Sequence, residues 1–449
     1  MSMKKISVGQ IGSSDSVGGA ARATLRIHEA LNANEEKYRV ASKFFVRRKY
    51  RSDPGVYVID SAKSVNTISL SSVVRRIGNF TFYRRLRRFK TGNPTIHSFC
   101  TLPTDPSENL NALPCDLFNF HWLGSDVISI KEIAKLHKPI VWTLHDQWAF
   151  CGAEHYNSLP PVVDRRYIDG YLRSNRPNHE SGPDLNRETW HQKLRHWHLP
   201  MHIVCPSNWM AECARQSVLM KTWPIRCIPN PIDTNLWRPI DRTQACKVYD
   251  LDPGKRYLIF GACGGTSDPR KGGDLILEAL KKLKAILPLS DVDRLELIVF
   301  GENEPASGTP FPFDTHYFGN VQDDIKLVSL YCVGDVMLIP SRQDNLPNTG
   351  LEAQACGIPV ISWDIGGLPD IVAHGKTGIM VKPFDTSGFA HAIRGVTSDR
   401  LRLEGFRKSS RERAISLWSP AVIASQYAAL YREVMEQSAN TYARCDKSD

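Results

Sequence analysis

The sequence predicts an α/β protein made of two Rossmann-like domains, each with a parallel sheet flanked by helices. A length of 449 residues is too great for one comfortable core and suits two domains. Short β-branched runs alternate with amphipathic helical stretches in both halves, which is the pattern of parallel sheets. With 42% apolar and 23% charged residues, the composition excludes a disordered or membrane-spanning class.

The first series of elements begins at the amino terminus. Lys5 to Ile11 predicts a strand, the next residues up to Gly19 a glycine-containing loop, and Ala20 to Leu31 a helix with helical apolar spacing. Further strands are predicted at Leu117–Phe120, Ile140–Leu144 and His202–Cys205. The polar, proline-rich segment 157–186 predicts a long mobile loop.

A second, similar series follows residue 255. Its predicted strands are Tyr257–Gly261, Leu295–Gly301, Val336–Pro340 and Pro359–Ser362, with helices at Asp274–Leu287 and Asn348–Ala355. Three prolines within Pro229–Pro239 mark the join. We therefore predict a first domain of residues 1–228 and a second of residues 229–419. A final helix is predicted from Pro420 to about Glu436, and we assign residues 420–438 to the first domain. One side of this helix is apolar and needs a surface to cover.

The net charge of +10 is uneven, because residues 1–230 hold 32 basic and 19 acidic side chains whereas residues 231–449 hold 25 and 28. Arg75–Lys90 carries seven basic residues, no acid and several aromatic rings. Two interpretations stay open: binding to an anionic membrane surface, or a solvated basic segment that packs its rings on its own domain. Nucleic acid is disfavoured, because no nucleic-acid module surrounds the stretch.

The amino terminus has no long apolar stretch typical of a secretory signal, and no window is long and apolar enough to span a membrane. We expect a cytoplasmic protein, peripheral on the inner face of the membrane if the basic stretch binds lipid. Eleven cysteines are scattered and never spaced as Cys-x-x-Cys, which indicates neither a disulfide framework nor a zinc site. We expect most of them to be small buried residues.

The candidate chemistry is concentrated in the second half. Arg270 and Lys271 lie in a glycine-containing loop where a helix is predicted to start, so they suit phosphate oxygens. Asp344 lies in the loop before a second helix, whose first backbone amides, at 348–350, are expected to be open donors. Glu352, one turn inside that helix, suits the paired hydroxyls of a ribose.

The segment from Pro340 to Val360, with Asp344-Asn-Leu-Pro-Asn-Thr and Leu-Glu352-Ala-Gln-Ala-Cys-Gly, resembles the family 4 retaining glycosyltransferases of GT-B fold. The resemblance extends to 318–323, 364–370, 375–379 and 230–233. It implies two Rossmann-like domains facing across a cleft, with the last helix crossing back to the first domain. Where the family usually has Glu, this chain has Asp344, which leaves open the sugar hydroxyls that this carboxylate contacts.

By that resemblance the donor is a nucleotide diphosphate sugar, UDP- or GDP-linked. Asn320 and Val321 then border the base, Glu352 holds the ribose, and Arg270 and Lys271 offset the diphosphate charge. The remaining residues implied on the donor side are Asn345, Leu346, Asn348, the amides of Thr349 and Gly350, and Asp344, the last placed with the catalytic groups.

In the first half, Gly18 and Gly19 resemble the family's acceptor-side glycine loop, which closes over the donor phosphates. Asp116–Trp122 and Trp142–Trp148 resemble motifs of a subgroup that builds bacterial surface polysaccharides, of the colanic-acid type. The resemblance implies that His145 points toward the transferring sugar and that Asp146 orients it. The cysteine cluster typical of that subgroup is missing here.

The implied reaction is front-face sugar transfer with retention, to a saccharide or lipid-linked saccharide acceptor, with no cofactor and no metal, since no Asp-x-Asp ends a strand. A dinucleotide oxidoreductase is disfavoured, because neither first loop reads Gly-x-Gly-x-x-Gly. Two alternatives remain: a nucleotide-sugar epimerase of the same fold, and a catalytically inactive lipid- or saccharide-binding protein.

Overall fold

The computed structural model describes residues 4–59, 80–102, 107–124, 127–261 and 265–445, with side chains to residue 439. The chain divides into two compact units. One holds the described residues up to Ile228 together with the chain from Ala424 onward, and the other is Pro229–Ile423.

The first unit is built on a seven-stranded sheet in which every strand pair is parallel. The strands are β1 Ile6–Ser14, β2 Val40–Arg48, β3 Val56–Val58, β4 Leu117–Phe120, β5 Ile140–Thr143, β6 His202–Cys205 and β7 Ile225–Cys227. Their order in the sheet is β3-β2-β1-β4-β5-β6-β7. This is the doubly wound arrangement that βαβ crossovers produce.

The helices of this unit connect its strands. They are α1 Gly18–Ala33, α2 Glu35–Tyr38, α3 (80–86), α4 Ser107–Asn111, α5 Ile130–Ile133, α6 Arg166–Asp169, α7 Leu185–His196 and α8 Asn208–Gln216. The last helix of the chain, α17 (Pro420–Cys445), packs the buried Tyr427 and Tyr431 against this sheet. The Tyr431 hydroxyl accepts a hydrogen bond from Asn119 at 2.8 Å, so the apolar side of the helix does find a surface to cover.

The second unit has a six-stranded sheet, also parallel throughout, in the order β10-β9-β8-β11-β12-β13. Its strands are β8 Arg256–Gly261, β9 Leu295–Phe300, β10 Thr315–Tyr317, β11 Val336–Ile339, β12 Val360–Trp363 and β13 Gly378–Val381. Its helices are α9 Arg242–Val248, α10 Gly273–Ile286, α11 Leu289–Val292, α12 Asp324–Val333, α13 Asn348–Ala355, α14 Leu368–Ile371, α15 Thr386–Thr397 and α16 Arg400–Trp418.

Both faces of this second sheet are buried. In β8, Tyr257 and Ile259 join one apolar cluster whereas Leu258 and Phe260 join another, as the two-residue period of a strand requires. Helices on each side and the neighbouring strands supply the rest of the two clusters. Burial on both faces explains why the strands read as continuous apolar runs rather than alternating ones.

Two local predictions are wrong. β1 continues to Ser14, so Gly12 lies in the strand and the loop before α1 is shorter than predicted. The segment 157–186 contains α6 and the start of α7 and is fixed by a buried ion cluster, not left as a mobile loop. There the Arg166 guanidinium lies 2.9 Å from Glu180 and 2.8 Å from Asp164.

Within the described ranges, no helix is both long enough and apolar enough to cross a membrane. Nine cysteines in these ranges are free thiols, and all but Cys227 are buried, as predicted.

Candidate functional site

The strand order places two loops side by side in the second unit. β8 and β11 are neighbours in the sheet although two other strands, β9 and β10, lie between them in sequence. At such a switch point the chains leaving the two strands diverge and open a crevice at their carboxyl ends, which is where open α/β sheets bind ligands. The candidate donor residues lie in these loops.

The loop after β8 ends in a 3-10 turn, Pro269–Lys271, which precedes α10. The sequence predicted Arg270 and Lys271 at the start of the helix. In the structure they lie just before it, because α10 begins at Gly273. Gly272 joins turn and helix at φ 70°, and a Cβ there would come within 2.1 Å of the Pro340 carbonyl oxygen. Only glycine lets the turn approach the end of β11 this closely.

Lys271 and Asp344 form an ion pair between the two loops. The Lys271 Nζ lies 2.5 Å from Asp344 Oδ2, and the Asn345 amide donates to Asp344 Oδ1 at 3.1 Å. Burial alone would raise the pKa of the Asp344 carboxyl, but Lys271 and then Arg270 outweigh it and hold that pKa below its usual value. Asp344 is therefore ionised at neutral pH and accepts hydrogen bonds only.

Arg342, which the sequence reasoning missed, ties the same loops together. Its amide donates to the Arg270 carbonyl at 2.7 Å, and its guanidinium donates to the Pro269 carbonyl at 3.0 Å. The guanidinium also pairs with Asp274 in the first turn of α10, 2.7 Å away. The cationic turn is thus fixed against the loop that carries Asp344.

α13 begins directly after that loop and holds Glu352 in its second turn. Glu352 is 1% exposed, and the Tyr331 hydroxyl donates to its Oε2 at 3.0 Å. The backbone amides of residues 348–350 were predicted to be open donors, and this is wrong for Gly350. Its amide donates to the Pro347 carbonyl at 3.0 Å. Pro347 precedes the helix and closes its first turn, which uses this donor.

The other predicted donor residues fall into two groups. Asn345 and Leu346 are buried in the loop before α13, whereas Asn348 and Thr349 are half-buried in its first turn. Asn320 is exposed and Val321 half-buried against the core, both in the loop that follows the edge strand β10.

In the first unit, His145 follows the carboxyl end of β5 by two residues and contacts His121, which directly follows β4. The two imidazoles stack at 5.3 Å, and His145 Nε2 lies 3.0 Å from His121 Nδ1. Burial lowers the pKa of His145 to about 4, although the nearby Asp146 carboxylate opposes this. His145 is therefore neutral at physiological pH.

Asp146 does not orient His145 through a hydrogen bond, contrary to the sequence-based interpretation. Its Oδ2 lies 2.6 Å from His155 Nδ1 and its Oδ1 accepts from the Trp148 amide at 3.0 Å. Since a carboxylate only accepts, the shorter contact makes His155 Nδ1 the donor, and the Trp122 indole N–H, 3.1 Å from the same nitrogen, then has no acceptor there. Burial would raise the pKa of Asp146, but His155 outweighs it and the pKa is lowered overall.

A buried lysine of α7 holds the turn that follows Asp146. The Lys193 ammonium is fully buried and donates to three backbone carbonyls, those of Trp148, Cys151 (3.0 Å) and Gly152 (2.7 Å). It also lies 4.0 Å from the centre of the Trp148 ring. Lys193 was not identified from the sequence. The signal that could have found it is a charged residue at an inward-facing position of the helix α7.

The glycine loop of this unit is short. Gly18 has φ 86° and is the first residue of α1, and a Cβ there would meet nothing within 4 Å. Backbone conformation, not lack of space, therefore explains glycine at this position. Gly19 follows within the first turn of α1.

Two family models match the chain and together cover about four-fifths of it. Residues 17–236 match "Glycosyltransferase Family 4" and residues 257–399 match "Glycosyl transferases group 1". The chain belongs to glycosyltransferase family 4. As a family 4 member it resembles the D-inositol 3-phosphate glycosyltransferase 2 of Catenulispora acidiphila, with 29% identity over 212 residues. That match covers 44% of this chain and 48% of the relative, so the chain spans about half the length of the curated relatives it matches.

Solved structures support the GT-B fold for this family 4 chain. Sucrose-phosphate synthase from Thermosynechococcus elongatus has a TM-score of 0.62 at 17% identity, covering 96% of this chain and 100% of that one. The Anabaena protein HepE, solved in complex with UDP and glucose, has a TM-score of 0.59 at 13% identity, covering 95% and 100%. At these identities the likeness shows the fold alone.

Proposed function

We propose that this protein is a retaining glycosyltransferase that uses a nucleotide diphosphate sugar as donor. The observation that carries the proposal is the Lys271–Asp344 ion pair, backed by Arg270, at the crevice between the ends of β8 and β11. Fixed cations and a helix amino terminus at that place suit a diphosphate. Family 4 membership favours this function over an epimerase or an inactive binding protein.

In the proposed reaction the bond between the sugar C1 and the diphosphate oxygen breaks while a bond from C1 to the acceptor oxygen forms on the same face. The acceptor proton passes to the departing diphosphate oxygen, so no enzyme nucleophile, metal or cofactor is needed. Arg270 and Lys271 stabilise the charge that develops on the leaving group, since interactions stronger in the transition state accelerate the step.

Each remaining donor contact belongs to the same proposal. Asp344 accepts hydrogen bonds from sugar hydroxyls, and Glu352 from the ribose. The Thr349 amide meets a phosphate oxygen, whereas the Gly350 amide, already bonded to Pro347, does not. Asn320 and Val321 border the base. His145, in the first unit, acts on the transferring sugar as a neutral group.

For the donor base we propose uridine first, because the similar HepE structure holds UDP. For the acceptor we propose a saccharide or a lipid-linked saccharide of surface polysaccharide synthesis, on the strength of the Asp116–Trp122 and Trp142–Trp148 motifs. A competing acceptor is an inositol phosphate, which the name of the Catenulispora relative suggests.

The experiment that tests the donor site is a thermal-shift screen of UDP-, GDP- and ADP-sugars on the full chain. A ligand at 100 times its dissociation constant should stabilise the protein by about 2.7 kcal/mol. Glu352→Gln and Lys271→Met should each cut the shift to about half or less, whereas Lys281→Met, at an exposed lysine of α10, should keep it. A normal shift in both site variants would place the donor elsewhere.

We infer as a second function that the protein attaches to anionic membrane surfaces through the described part of the basic stretch; Arg75–Ile77 and the residues up to 79 lie outside the described ranges. Phe80 is 70% exposed and Tyr83 53% exposed on α3. Arg84, Arg87 and Arg88 are exposed beside them. Exposed rings among guanidinium groups fit the interface of an anionic bilayer.

The alternative of packing on the protein's own domain also holds for part of the stretch. Phe82 and Phe89 both contact Phe99, with ring centres 5.7 and 5.8 Å apart, and Arg85 pairs with Glu188. These contacts fix the segment to the first unit and leave the other rings outward.

Co-sedimentation with vesicles of phosphatidylserine and phosphatidylcholine tests the attachment. Arg84, Arg87 and Arg88 changed together to Ser should lose binding, since each basic residue near the surface contributes about 1 kcal/mol. A charge-matched control changes the exposed Lys221, Lys281 and Arg400 to Ser and should still bind. Equal binding by both triple variants would exclude this patch.

A further inference from the structure

A chain of three hydrogen-bonded side chains ends at the half-buried His145. Gln10 of β1 lies with its Oε1 2.8 Å from His121 Nε2, and His121 Nδ1 lies 3.0 Å from His145 Nε2. Gln10 is 0% and His121 2% exposed. β1, β4 and β5 are adjacent in the sheet, so these three residues meet at its carboxyl edge.

The positions of the protons follow from the chemistry of the groups. An amide oxygen only accepts, so His121 Nε2 carries a proton and donates it to Gln10. A neutral imidazole has one N–H, so His121 Nδ1 is an acceptor and His145 Nε2 must donate to it. His145 is thereby held as the Nε2–H tautomer, with its lone pair at Nδ1.

The amide of Gln10 has partners on its other side. Its Nε2 donates to the Ser42 hydroxyl at 3.2 Å and lies 3.5 Å from the Tyr431 hydroxyl, which also accepts from Asn119 at 2.8 Å. In this orientation the amide nitrogen serves both hydroxyls and the oxygen is left for the imidazole. The reversed amide would give the opposite tautomer of His145, which the nitrogen-15 measurement below detects.

Both rings are neutral near pH 7. Burial lowers the pKa of His121 well below its usual range, and the neighbouring His145 adds to this effect. The charged group that acts on His145 is Asp146, whose hydrogen bonds go to His155 and Trp148 instead. A carboxylate bonded directly to His145 would favour the imidazolium, whereas a neutral imidazole partner does not.

We propose that His121 and Gln10 are positioning residues that fix the tautomer and the ring orientation of His145. The inference rests on the proposed function only in that His145 acts on the reacting sugar. It assigns to Gln10 and His121 a role that the sequence motifs alone did not indicate. It also makes His145 a neutral hydrogen-bonding group rather than a general acid or a charged anchor.

The first test measures the wild-type protein and uses a variant only to assign the signals. Long-range ¹H–¹⁵N NMR on the full chain labelled with ¹⁵N-histidine shows which ring nitrogen carries the proton, and loss of one signal set in His145→Gln assigns that ring. We expect His145 to be protonated at Nε2 alone from pH 6 to 8. A proton at Nδ1 alone, or titration of the ring within that range, would overturn the inference.

The second test separates positioning from folding. Gln10→Met removes the acceptor and frees His121 to take the other tautomer, so kcat should fall by about 10- to 100-fold with the donor Kd unchanged. Gln10→Asn, which keeps a neutral amide acceptor on a shorter arm, should retain more of kcat than Gln10→Met. Tyr427→Phe breaks a buried bond to Thr143 (3.1 Å) in the same layer and should leave kcat at the wild-type value.

Wild-type kcat in Gln10→Met, or a loss as large in Tyr427→Phe, would refute the positioning role. Failure of the proposed function looks different, because the donor would then give no thermal shift that depends on Lys271. If the wild-type protein showed the Nε2–H tautomer of His145 but bound no donor, the positioning role of Gln10 and His121 would stand. Only the proposed reaction would then be refuted.

Discussion

Lys271→Met should lower both the stability of the second unit and its affinity for the donor. Lys271 and Asp344 are 2.5 Å apart, with side chains 16% and 10% exposed. An exposed ion pair contributes about 0–1 kcal/mol and breaking a fully buried one costs about 3–5 kcal/mol, so this mostly buried pair should cost about 2 kcal/mol. The donor should also lose a charge-assisted contact of about 1.5–3 kcal/mol, a roughly 10- to 150-fold weaker Kd.

The stability loss should depend on pH with a definite sign. The pKa of Asp344 is depressed in the folded protein, so its stabilising effect is present above the unfolded value of about 4 and is lost as pH falls through the folded pKa. Without Lys271 that pKa should rise, because Lys271 is the strongest of the groups that oppose the effect of burial. The difference between wild type and variant should therefore be full at pH 7 and shrink as pH falls through about 4.

Urea unfolding followed by tryptophan fluorescence at pH 7 and at about pH 3, together with calorimetric titration of the donor at pH 7, measures both effects. Lys281→Met, the exposed control on α10, should stay within about 0.5 kcal/mol of wild type. The double variant Lys271→Met with Asp344→Asn should recover stability but not donor affinity, because the unpaired buried charge is gone while the cation is still missing. If Lys271→Met alone kept both wild-type stability and wild-type Kd, the reasoning about this pair would be refuted.

Two further predictions concern buried groups. Tyr331→Phe should cost about 1 kcal/mol of unfolding free energy and weaken nucleotide binding several-fold, because Glu352 loses the hydroxyl that holds it; unchanged nucleotide affinity would make the contact purely structural. Lys193→Met should cost about 1–3 kcal/mol, since three carbonyls lose their donor. Burial lowers the pKa of Lys193 to about 7, so the unfolded chain binds more protons above that pH and wild-type stability should gain from this group as pH rises from 7 to about 10. That gain should be missing in Lys193→Met, and its persistence in a urea titration would argue against a lowered pKa.

The sequence predicted the parallel α/β architecture because the buried strands have distinctive apolar runs. Leu117–Phe120 and His202–Cys205 were predicted with the observed bounds, and Asn348–Ala355 is the observed α13. Strands such as β10 and β13 lie at or near a sheet edge and are three or four residues long. Runs this short and partly exposed carry no periodic signal that separates them from loops.

The sequence singled out Lys271 and Asp344 by their residue types, and the structure brings them together as an ion pair. Hydrogen-bond partners that come from distant parts of the chain were not predicted. Asp146 was predicted to orient His145 because it is the next residue. The observed hydrogen-bond partner is His121, because β4 and β5 are neighbours in the sheet. Hydrogen-bond partners of buried groups are set by topology, which local sequence does not display.

The ion cluster in 157–186 is a second case in which contacts that the local sequence does not display decide the structure. Proline and charged residues indicated a mobile loop, but Arg166 is 4% exposed with Glu180 and Asp164 around it. Charged side chains that neutralise one another when buried read in sequence like solvated ones.

The most direct measurement is a crystal structure of the full chain with the nucleoside diphosphate that gives the largest thermal shift. We expect diphosphate oxygens within about 3 Å of the Lys271 ammonium and the Thr349 amide, the range of charge-assisted hydrogen bonds. A diphosphate bound away from both groups, with the Lys271–Asp344 pair untouched, would contradict the assignment of the donor site.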